Sequence, residues 1–198
     1  MTLDRFYPIF DHPDWLERAL PLGVKLVQLR VKDRPEADLR ALIERSRDLC
    51  RAAGAVLVVN DHWPLAVELG CDWVHLGQED LDTADLQAIR AAGLKLGIST
   101  HDEAELARAL ECRPDYVALG PVWPTILKKM KWHEQGLDRV TDWKRRVGDL
   151  PLVAIGGLST ARAPQAFAAG ADIVSVVTDI TLNADPEARI REWIEVTR

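Results

Sequence analysis

The sequence has few cysteines, no long apolar run and no basic block. Its three cysteines, Cys50, Cys71 and Cys112, are far apart and form no CxxC pair. A sparse, odd set favours reduced thiols in a cytoplasmic protein over a disulfide framework or a zinc site. No apolar run approaches the ~18 residues of a membrane span. The N-terminal sequence Met-Thr-Leu-Asp-Arg at residues 1–5 has no apolar core of a signal peptide, so none is expected. We therefore expect a cytoplasmic protein without a membrane partner.

The charge balance argues against a nucleic-acid partner. The 25 basic and 31 acidic residues give a formal net charge of −6, with no lysine- or arginine-rich tail. Nucleic-acid binding normally needs a clustered basic surface. The chain is 47% hydrophobic over 198 residues, which is enough for one good core. We predict one domain over 1–198, and the sequence leaves the oligomeric state open, a homo-oligomer included.

Strand-like and helix-like segments alternate along the whole chain. Short β-branched or apolar runs predict eight strands, at residues 6–9, 24–30, 56–59, 73–76, 95–99, 115–119, 152–155 and 172–177. Amphipathic segments between them predict eight helices, at residues 13–22, 35–53, 64–69, 83–92, 102–111, 136–147, 159–169 and 185–197. Helical spacing of apolar residues and glycine at several ends support these bounds. Residues 120–135 are predicted to form a loop.

About eight βα units of roughly 25 residues predict a compact α/β fold, a single-domain TIM (β/α)8 barrel. The alternative is an open doubly wound sheet. The first βα turn lacks the GxGxxG pattern that such a sheet uses for a dinucleotide, and the eight-fold count closes a barrel. In a barrel, functional residues follow the C-terminal ends of the strands.

Two cationic and two acidic residues follow three of the predicted strands. Arg30 and Lys32 alternate along one strand and share a face, which suits an anionic oxygen cluster. Asp61 and Asp80 follow the next two strands and would repel each other without a cation between them. Either aspartate also suits a helix N-cap. Together the four residues suggest a magnesium–polyphosphate complex.

A second anion site is predicted at the last two strands. Gly156 and Gly157 end the seventh strand, and Val177 and Thr178 end the eighth. Barrels often bind phosphate there through backbone amides, although a glycine pair also forms tight left-handed turns. Two separate anion sites suggest two phosphorylated substrates, or one substrate with phosphate at each end. His101 suits either a base at the mouth or a helix start.

The ordered set of strand-end motifs resembles the thiamine phosphate synthase family over nearly the whole chain. The motifs are VQLRVK at 27–32, VND at 59–61, VHLGQEDL at 74–81, GISTH at 97–101, ALGPVWPT at 118–125, AIGG at 154–157 and VVT at 176–178. The resemblance implies a TIM barrel that joins hydroxymethylpyrimidine diphosphate to hydroxyethylthiazole phosphate and releases pyrophosphate. It also implies a dissociative reaction in which the bond to pyrophosphate breaks before the thiazole nitrogen attacks.

The resemblance assigns residues to each part of this reaction. It implies a pyrimidine diphosphate site formed by Gln28, Leu29, Arg30, Val31, Lys32, Asn60, Ser99 and Lys128. It implies a thiazole phosphate site formed by Thr125, Ile126, Leu127, Gly157, Val177 and Thr178. Asp61 and Asp80 would bind Mg²⁺, and the catalytic set would be Arg30, Lys32, Ser99 and Lys128.

One residue departs from the family pattern. The family usually has Pro-Thr-x-Thr-Lys after the sixth strand, whereas this chain has Leu127 at the second threonine. A lost hydrogen bond to a charged group costs on the order of 1.5–3 kcal/mol. Either Lys129 or Lys131 compensates, or the thiazole phosphate site is weakened. The alternatives are a thiazole tautomerase-like paralogue, which would use His101, and a catalytically impaired thiamine-phosphate-binding barrel.

Overall fold

A computed structural model describes residues 3–125 and 133–198 and shows a closed barrel of eight parallel strands. The strands are β1 (Phe6–Phe10), β2 (Leu26–Leu29), β3 (Val56–Asn60), β4 (Trp73–Leu76), β5 (Lys95–Thr100), β6 (Tyr116–Leu119), β7 (Leu152–Ile155) and β8 (Ile173–Val176). Each strand pairs with the next along the chain, and β8 closes on β1 with Tyr7 opposite Ser175. The predicted TIM barrel is therefore confirmed, and the open doubly wound sheet is excluded.

Helices follow the strands around the outside of the barrel. Those in the described part of the chain are α1 (Pro13–Ala19), α2 (Glu36–Ala53), α3 (Trp63–Glu68), α4 (Leu86–Ala91), α5 (Glu103–Glu111), α6 (Gly136–Val147), α7 (Ala163–Ala168), α8 (Thr178–Thr181) and α9 (Pro186–Thr197). A 3₁₀ turn at Leu20–Leu22 occupies the end of the first predicted helix. A second 3₁₀ turn, at Asp80–Asp82, lies directly before the fourth predicted helix, which begins only at Leu86. The short α8 was not predicted, because four residues are too few for a periodic signal.

Alternation along the strands produces two separate cores. Side chains on one face, such as Phe6 and Val59, join the large core between the strands and the helices. Side chains on the other face fill the barrel and include Tyr7, Val58 and Trp73. Successive residues of a strand point to opposite faces. A residue two positions beyond an inward-facing one therefore faces the barrel mouth.

The turns at the mouth are fixed by helix caps. The Asp102 carboxylate accepts a 2.9 Å hydrogen bond from the Glu105 amide at the start of α5. Asp85 and Asp185 cap α4 and α9 in the same way. Each such cap stabilises a helix by about 1 kcal/mol. In the described residues, no helix is both long and apolar enough to cross a membrane.

Candidate functional site

A cavity of about 650 Å³ opens at the C-terminal ends of the strands. It is lined by residues from six of the eight strands or from the loops that follow them. Six members of the predicted substrate sites line it: Arg30, Ser99, Thr125, Gly157, Val177 and Thr178. The cavity therefore brings the predicted thiazole phosphate residues together with two residues of the predicted pyrimidine diphosphate site.

The predicted metal residues lie outside this lining, in a charged cluster with Lys32. The Lys32 ammonium is 3.3 Å from the Asp61 carboxylate, and the Asp61 side chain is 20% exposed. Asp61 is not a helix cap, because His62 occupies that position at the start of α3. Its backbone has φ of 64° and its amide donates to the His75 carbonyl at 2.9 Å. A left-handed φ is uncommon for a residue other than glycine, and here it occurs at the bend directly after β3.

Asp80 completes the charged cluster. Its carboxylate accepts a 2.9 Å hydrogen bond from the Gly77 amide. Burial and the neighbouring Asp61 carboxylate raise the pKa of Asp80, and the Gly77 hydrogen bond and Lys32 only partly offset them. The two carboxylates therefore approach closely enough to repel each other.

This pair fits a hard divalent cation. Mg²⁺ is commonly held by one or two carboxylates, with waters and substrate phosphates completing its shell. Asp61 and Asp80 supply such a donor set, and the Lys32 ammonium lies beside it. Among residues 3–125 and 133–198, no cluster of three or more acidic, histidine or cysteine side chains could hold a metal by itself. Two carboxylates would leave most of the coordination shell of such a cation to water or to other ligands.

The residues of β2 and β3 divide between the two cores. Leu29 and Val31 are buried against the helices, so only their backbone can face the mouth. Gln28 and Asn60 are buried to 2% and 5% exposure, and each lies two positions beyond an inward-facing residue. The loop after β2 is anchored by the His62 imidazole, whose Nε2 is 3.0 Å from the Val31 carbonyl oxygen.

Ser99 and His101 end β5 at the mouth. The Gln78 side-chain amide donates to the Ser99 carbonyl at 2.7 Å, which ties this strand end to the loop after β4. The Glu105 carboxylate lies 2.7 Å from the His101 Nδ1 and also accepts from the His101 amide at 2.8 Å. His101 lines the cavity and directly precedes Asp102, the N-cap of α5. It therefore lies both at the barrel mouth and next to the start of a helix.

The glycine pair after β7 lets two loops pack together. Gly157 has φ of 64°, and a Cβ built on it would lie 2.5 Å from the Pro124 carbonyl oxygen. Gly156 has φ of 95°, and its Cβ would lie 2.7 Å from Pro121. Both positions therefore need glycine for conformation and for space. Both interpretations of the glycine pair therefore apply. The two glycines form a left-handed turn, and they also line the cavity wall.

Buried polar residues inside the barrel were not identified from the sequence. Tyr7, His75, Tyr116 and Ser175 all face the barrel interior and are at most 7% exposed. Burial raises the pKa of both phenols, so both keep their protons. Burial lowers the pKa of His75 to about 4, with Arg30 adding to the shift and Asp80 opposing it. Within the described residues, the Ser175 hydroxyl has no hydrogen-bond partner although Ser175 lines the cavity.

The sequence contains a signal for two of these buried polar residues, His75 and Tyr116. His75 lies within the apolar strand β4 and Tyr116 begins β6. Both alternate with residues that face the helices, such as Val74 and Val117. Gly97 on β5 is the complementary signal, because a Cβ there would lie 2.0 Å from the Tyr116 ring. A glycine inside a strand often marks such a close approach.

Comparison with known proteins identifies one family. The family model described as "Thiamine monophosphate synthase" matches residues 6–180. The thiamine-phosphate synthase of Rhizobium etli is 63% identical over 197 residues, covering 100% of this chain and 97% of the relative. That of Escherichia coli K12 is 46% identical over 190 residues, covering 96% of this chain and 90% of the relative.

Solved structures give the same result. Thiamine phosphate pyrophosphorylase from Pyrococcus furiosus superposes with a TM-score of 0.87 at 26% identity, over 98% of this chain and 95% of that one. A 3-hexulose-6-phosphate synthase has a TM-score of 0.67 at 18% identity, over 98% of this chain and 100% of that one, and shares the fold alone. From the match to its family model and from relatives that align along the whole length, the chain belongs to the thiamine monophosphate synthase family.

Proposed function

We propose that the chain joins hydroxymethylpyrimidine diphosphate to hydroxyethylthiazole phosphate, forming thiamine phosphate and releasing pyrophosphate in the cytoplasm. The observation that carries this proposal is the pairing of two features at one barrel mouth. One is the Lys32–Asp61–Asp80 cluster, and the other is the cavity between Arg30 and Thr178. The identity of 63% to a thiamine-phosphate synthase along the whole chain supports the same activity. A homo-oligomer stays a prediction.

The charged cluster is assigned to the departing pyrophosphate. Asp61 and Asp80 would hold Mg²⁺, which when bound supplies positive charge to the diphosphate oxygens. Lys32 and Arg30 add fixed positive charge where negative charge develops as the C–O bond breaks. Lys128 is expected to join them but lies outside the described residues. Gln28, Asn60 and Ser99, with the backbone of 29 and 31, would position the pyrimidine and its diphosphate.

The cavity wall formed by Thr125, Gly157, Val177 and Thr178 is assigned to the thiazole phosphate. These residues follow β6, β7 and β8 and share the cavity with Ser99, so a thiazole held there faces the pyrimidine site. Ile126 and Leu127, the other predicted residues of this site, lie outside the described residues. Holding both rings in one cavity turns a bimolecular encounter into a local one, which contributes much of the rate in such reactions.

The proposed reaction forms no covalent bond between the protein and its substrates. Electron release from the aminopyrimidine ring helps the C–O bond to break first, and the thiazole nitrogen then attacks the pyrimidinylmethyl carbon. The electron pair of the broken bond leaves with pyrophosphate. The protein therefore needs charge neutralisation and alignment and does not need a nucleophile, which agrees with a mouth rich in cations and hydrogen-bond donors.

The substitution at Leu127 is expected to weaken the thiazole phosphate site. Leu127→Thr restores the hydroxyl of the family pattern, so we expect the KM for the thiazole phosphate to fall and the KM for the pyrimidine diphosphate to stay constant. Steady-state kinetics with each substrate varied in turn measures both. An unchanged thiazole phosphate KM would show that another group, such as Lys129 or Lys131, already compensates.

A pyrophosphate-release assay separates the proposed function from its rivals. Release that requires both substrates and Mg²⁺ supports the synthase. A thiazole tautomerase would act on the thiazole alone and would not need Arg30, Lys32, Asp61 and Asp80, so their presence argues against it. A catalytically impaired binding barrel would bind thiamine phosphate without releasing pyrophosphate. Asp61→Asn is the matched variant, because it should abolish the Mg²⁺ dependence at nearly constant side-chain volume.

A further inference from the structure

A continuous chain of hydrogen bonds crosses the inside of the barrel and ends at Ser99. The Gln28 amide nitrogen donates to the Tyr7 hydroxyl at 2.9 Å, and the Tyr7 and Tyr116 hydroxyls are 2.9 Å apart. The Tyr116 hydroxyl is 2.8 Å from the His75 Nδ1, and the His75 Nε2 is 2.8 Å from the Ser99 hydroxyl. These five side chains, here called the barrel relay, connect one predicted substrate residue to another across the core.

The donors and acceptors of the barrel relay fix its direction. Each hydroxyl has one proton to donate. Among the described residues, the Tyr7 hydroxyl has two side-chain partners, and Gln28 is a donor to it, so Tyr116 is the acceptor available for the Tyr7 proton. The Tyr116 hydroxyl then has its own proton free to donate to the His75 Nδ1. The His75 proton must therefore lie on Nε2 and be donated to Ser99. Each hydroxyl proton and ring nitrogen inside the barrel relay then has a partner, which is the normal condition for polar groups in a core.

The consequence falls on Ser99. Its oxygen accepts from His75, so its own proton is directed away from the relay. Ser99 is partly exposed and lines the cavity, so a ligand in the cavity can offer that proton an acceptor. We propose that Tyr116 and His75 are positioning residues that present Ser99 as a hydrogen-bond donor to an acceptor atom of the pyrimidine diphosphate. This rests on the proposed function, because that function assigns the ligand of Ser99.

Packing holds the barrel relay in one arrangement. The Tyr116 ring stacks on His75 with centroids 5.6 Å apart, meets Tyr7 edge-on at 6.0 Å and lies 5.9 Å from Trp73. The ring fills the space that Gly97 leaves open. A ring enclosed on these sides cannot rotate to seek another partner, so its hydroxyl stays on the line between Tyr7 and His75. Fixing a donor before the substrate arrives reduces the reorganisation needed during the reaction.

The tautomer of His75 tests the direction of the relay without any activity measurement. Imidazole ¹⁵N NMR of the whole protein should show His75 neutral with its proton on Nε2, assigned by loss of the signal in His75→Gln. Tyr7→Phe should keep this tautomer, because Tyr116 still donates to Nδ1. Tyr116→Phe should give a mixture, because Nδ1 then has no partner in either form. A wild-type proton on Nδ1 would reverse the relay and overturn the proposal.

Kinetic coupling to Ser99 distinguishes positioning from a structural role. Tyr116→Phe should lower kcat/KM for the pyrimidine diphosphate by about threefold to tenfold, the range expected for one hydrogen bond. In a Ser99→Ala background the same change should cost less than about twofold, since no donor remains to be positioned. Tyr7→Phe, which removes the neighbouring phenol oxygen, should show little coupling to Ser99.

Equal losses from Tyr116→Phe in both backgrounds would mean that Tyr116 acts only through the fold, and the proposal would fail. The two experiments also separate this failure from failure of the proposed function. A wild-type protein that forms no thiamine phosphate would contradict the function, and the His75 tautomer would still decide the direction of the barrel relay.

Discussion

Replacing Asp80 with asparagine should make the metal-free protein more stable and remove its response to Mg²⁺. Asp80 lies against the Asp61 carboxylate, and its pKa is raised in the folded state. A carboxylate whose pKa is raised on folding costs stability wherever it is ionised, which includes neutral pH. Asparagine removes this charge, and its side-chain oxygen can still accept the hydrogen bond from Gly77.

The size of the gain follows from the repulsion that is removed. Two unit charges about 4 Å apart in a water-like medium repel by about 1 kcal/mol. Asp80 is partly exposed, and Lys32 offsets some of the repulsion. The repulsion energy is therefore taken for a water-like dielectric constant and not for a protein interior. A gain of about 1 kcal/mol corresponds to roughly 2–4 °C in Tm for a domain of this size. In the wild type, Mg²⁺ at a hundred times its Kd should add about 2.7 kcal/mol.

Calorimetric unfolding at pH 7, with and without MgCl₂ and pyrophosphate, measures both effects. Asp82→Asn is the matched control, because Asp82 belongs to the same 3₁₀ turn but pairs with Arg108 at the surface. We expect it to keep the Mg²⁺ response and to show no gain in Tm. A lower metal-free Tm for Asp80→Asn would contradict the repulsion between Asp61 and Asp80. Stabilisation of the variant by Mg²⁺ to the same extent as the wild type would contradict a role of Asp80 in binding the metal.

Three further substitutions test the barrel interior and the cavity. Gly97→Ala should lower the free energy of unfolding by about 1–3 kcal/mol, because the new methyl group overlaps the Tyr116 ring; an unchanged urea midpoint would contradict this. Gly157→Ala should displace the loop after β6 and raise the KM for the thiazole phosphate, whereas a rise confined to the pyrimidine diphosphate KM would argue against the assigned site. The unpaired Ser175 hydroxyl lines the same cavity as Val177 and Thr178, so Ser175→Ala should raise the thiazole phosphate KM about twofold to tenfold if that hydroxyl bonds the ligand. Ser46→Ala is the control, because it removes an equally buried unpaired hydroxyl outside the cavity lining, and it should leave both KM values unchanged.

The fold was predictable from the sequence because its signals are local and repeated. Each short apolar strand is followed by an amphipathic helix, and eight such units leave few alternatives to a closed barrel. Element ends were less predictable. β2 is limited to Leu26–Leu29, shorter than the predicted 24–30, and α7 begins at Ala163 rather than at residue 159. Contacts between elements determine where β2 and α7 begin and end, and local sequence patterns do not specify those contacts.

The site was predictable in its charges but not in its interior. Strand ends identified Arg30, Lys32, Asp61 and Asp80, because a barrel gathers them at one mouth. The barrel relay depends on which strand positions meet across the interior, and that follows from the register and shear of the closed sheet. The sequence therefore identified His75 only as part of the VHLGQEDL motif. Its hydrogen bonds to Tyr116 and Ser99 depend on the three-dimensional structure.

A ³¹P NMR time course of the purified protein with both substrates and Mg²⁺ tests the proposed synthase activity directly. We expect the diphosphate doublets to convert to a pyrophosphate singlet while the thiazole phosphate signal converts to that of thiamine phosphate in equal amount. Neither change should occur when one substrate is omitted. Loss of the diphosphate signals without consumption of the thiazole phosphate, or no conversion with both substrates present, would show that the protein is not a thiamine phosphate synthase.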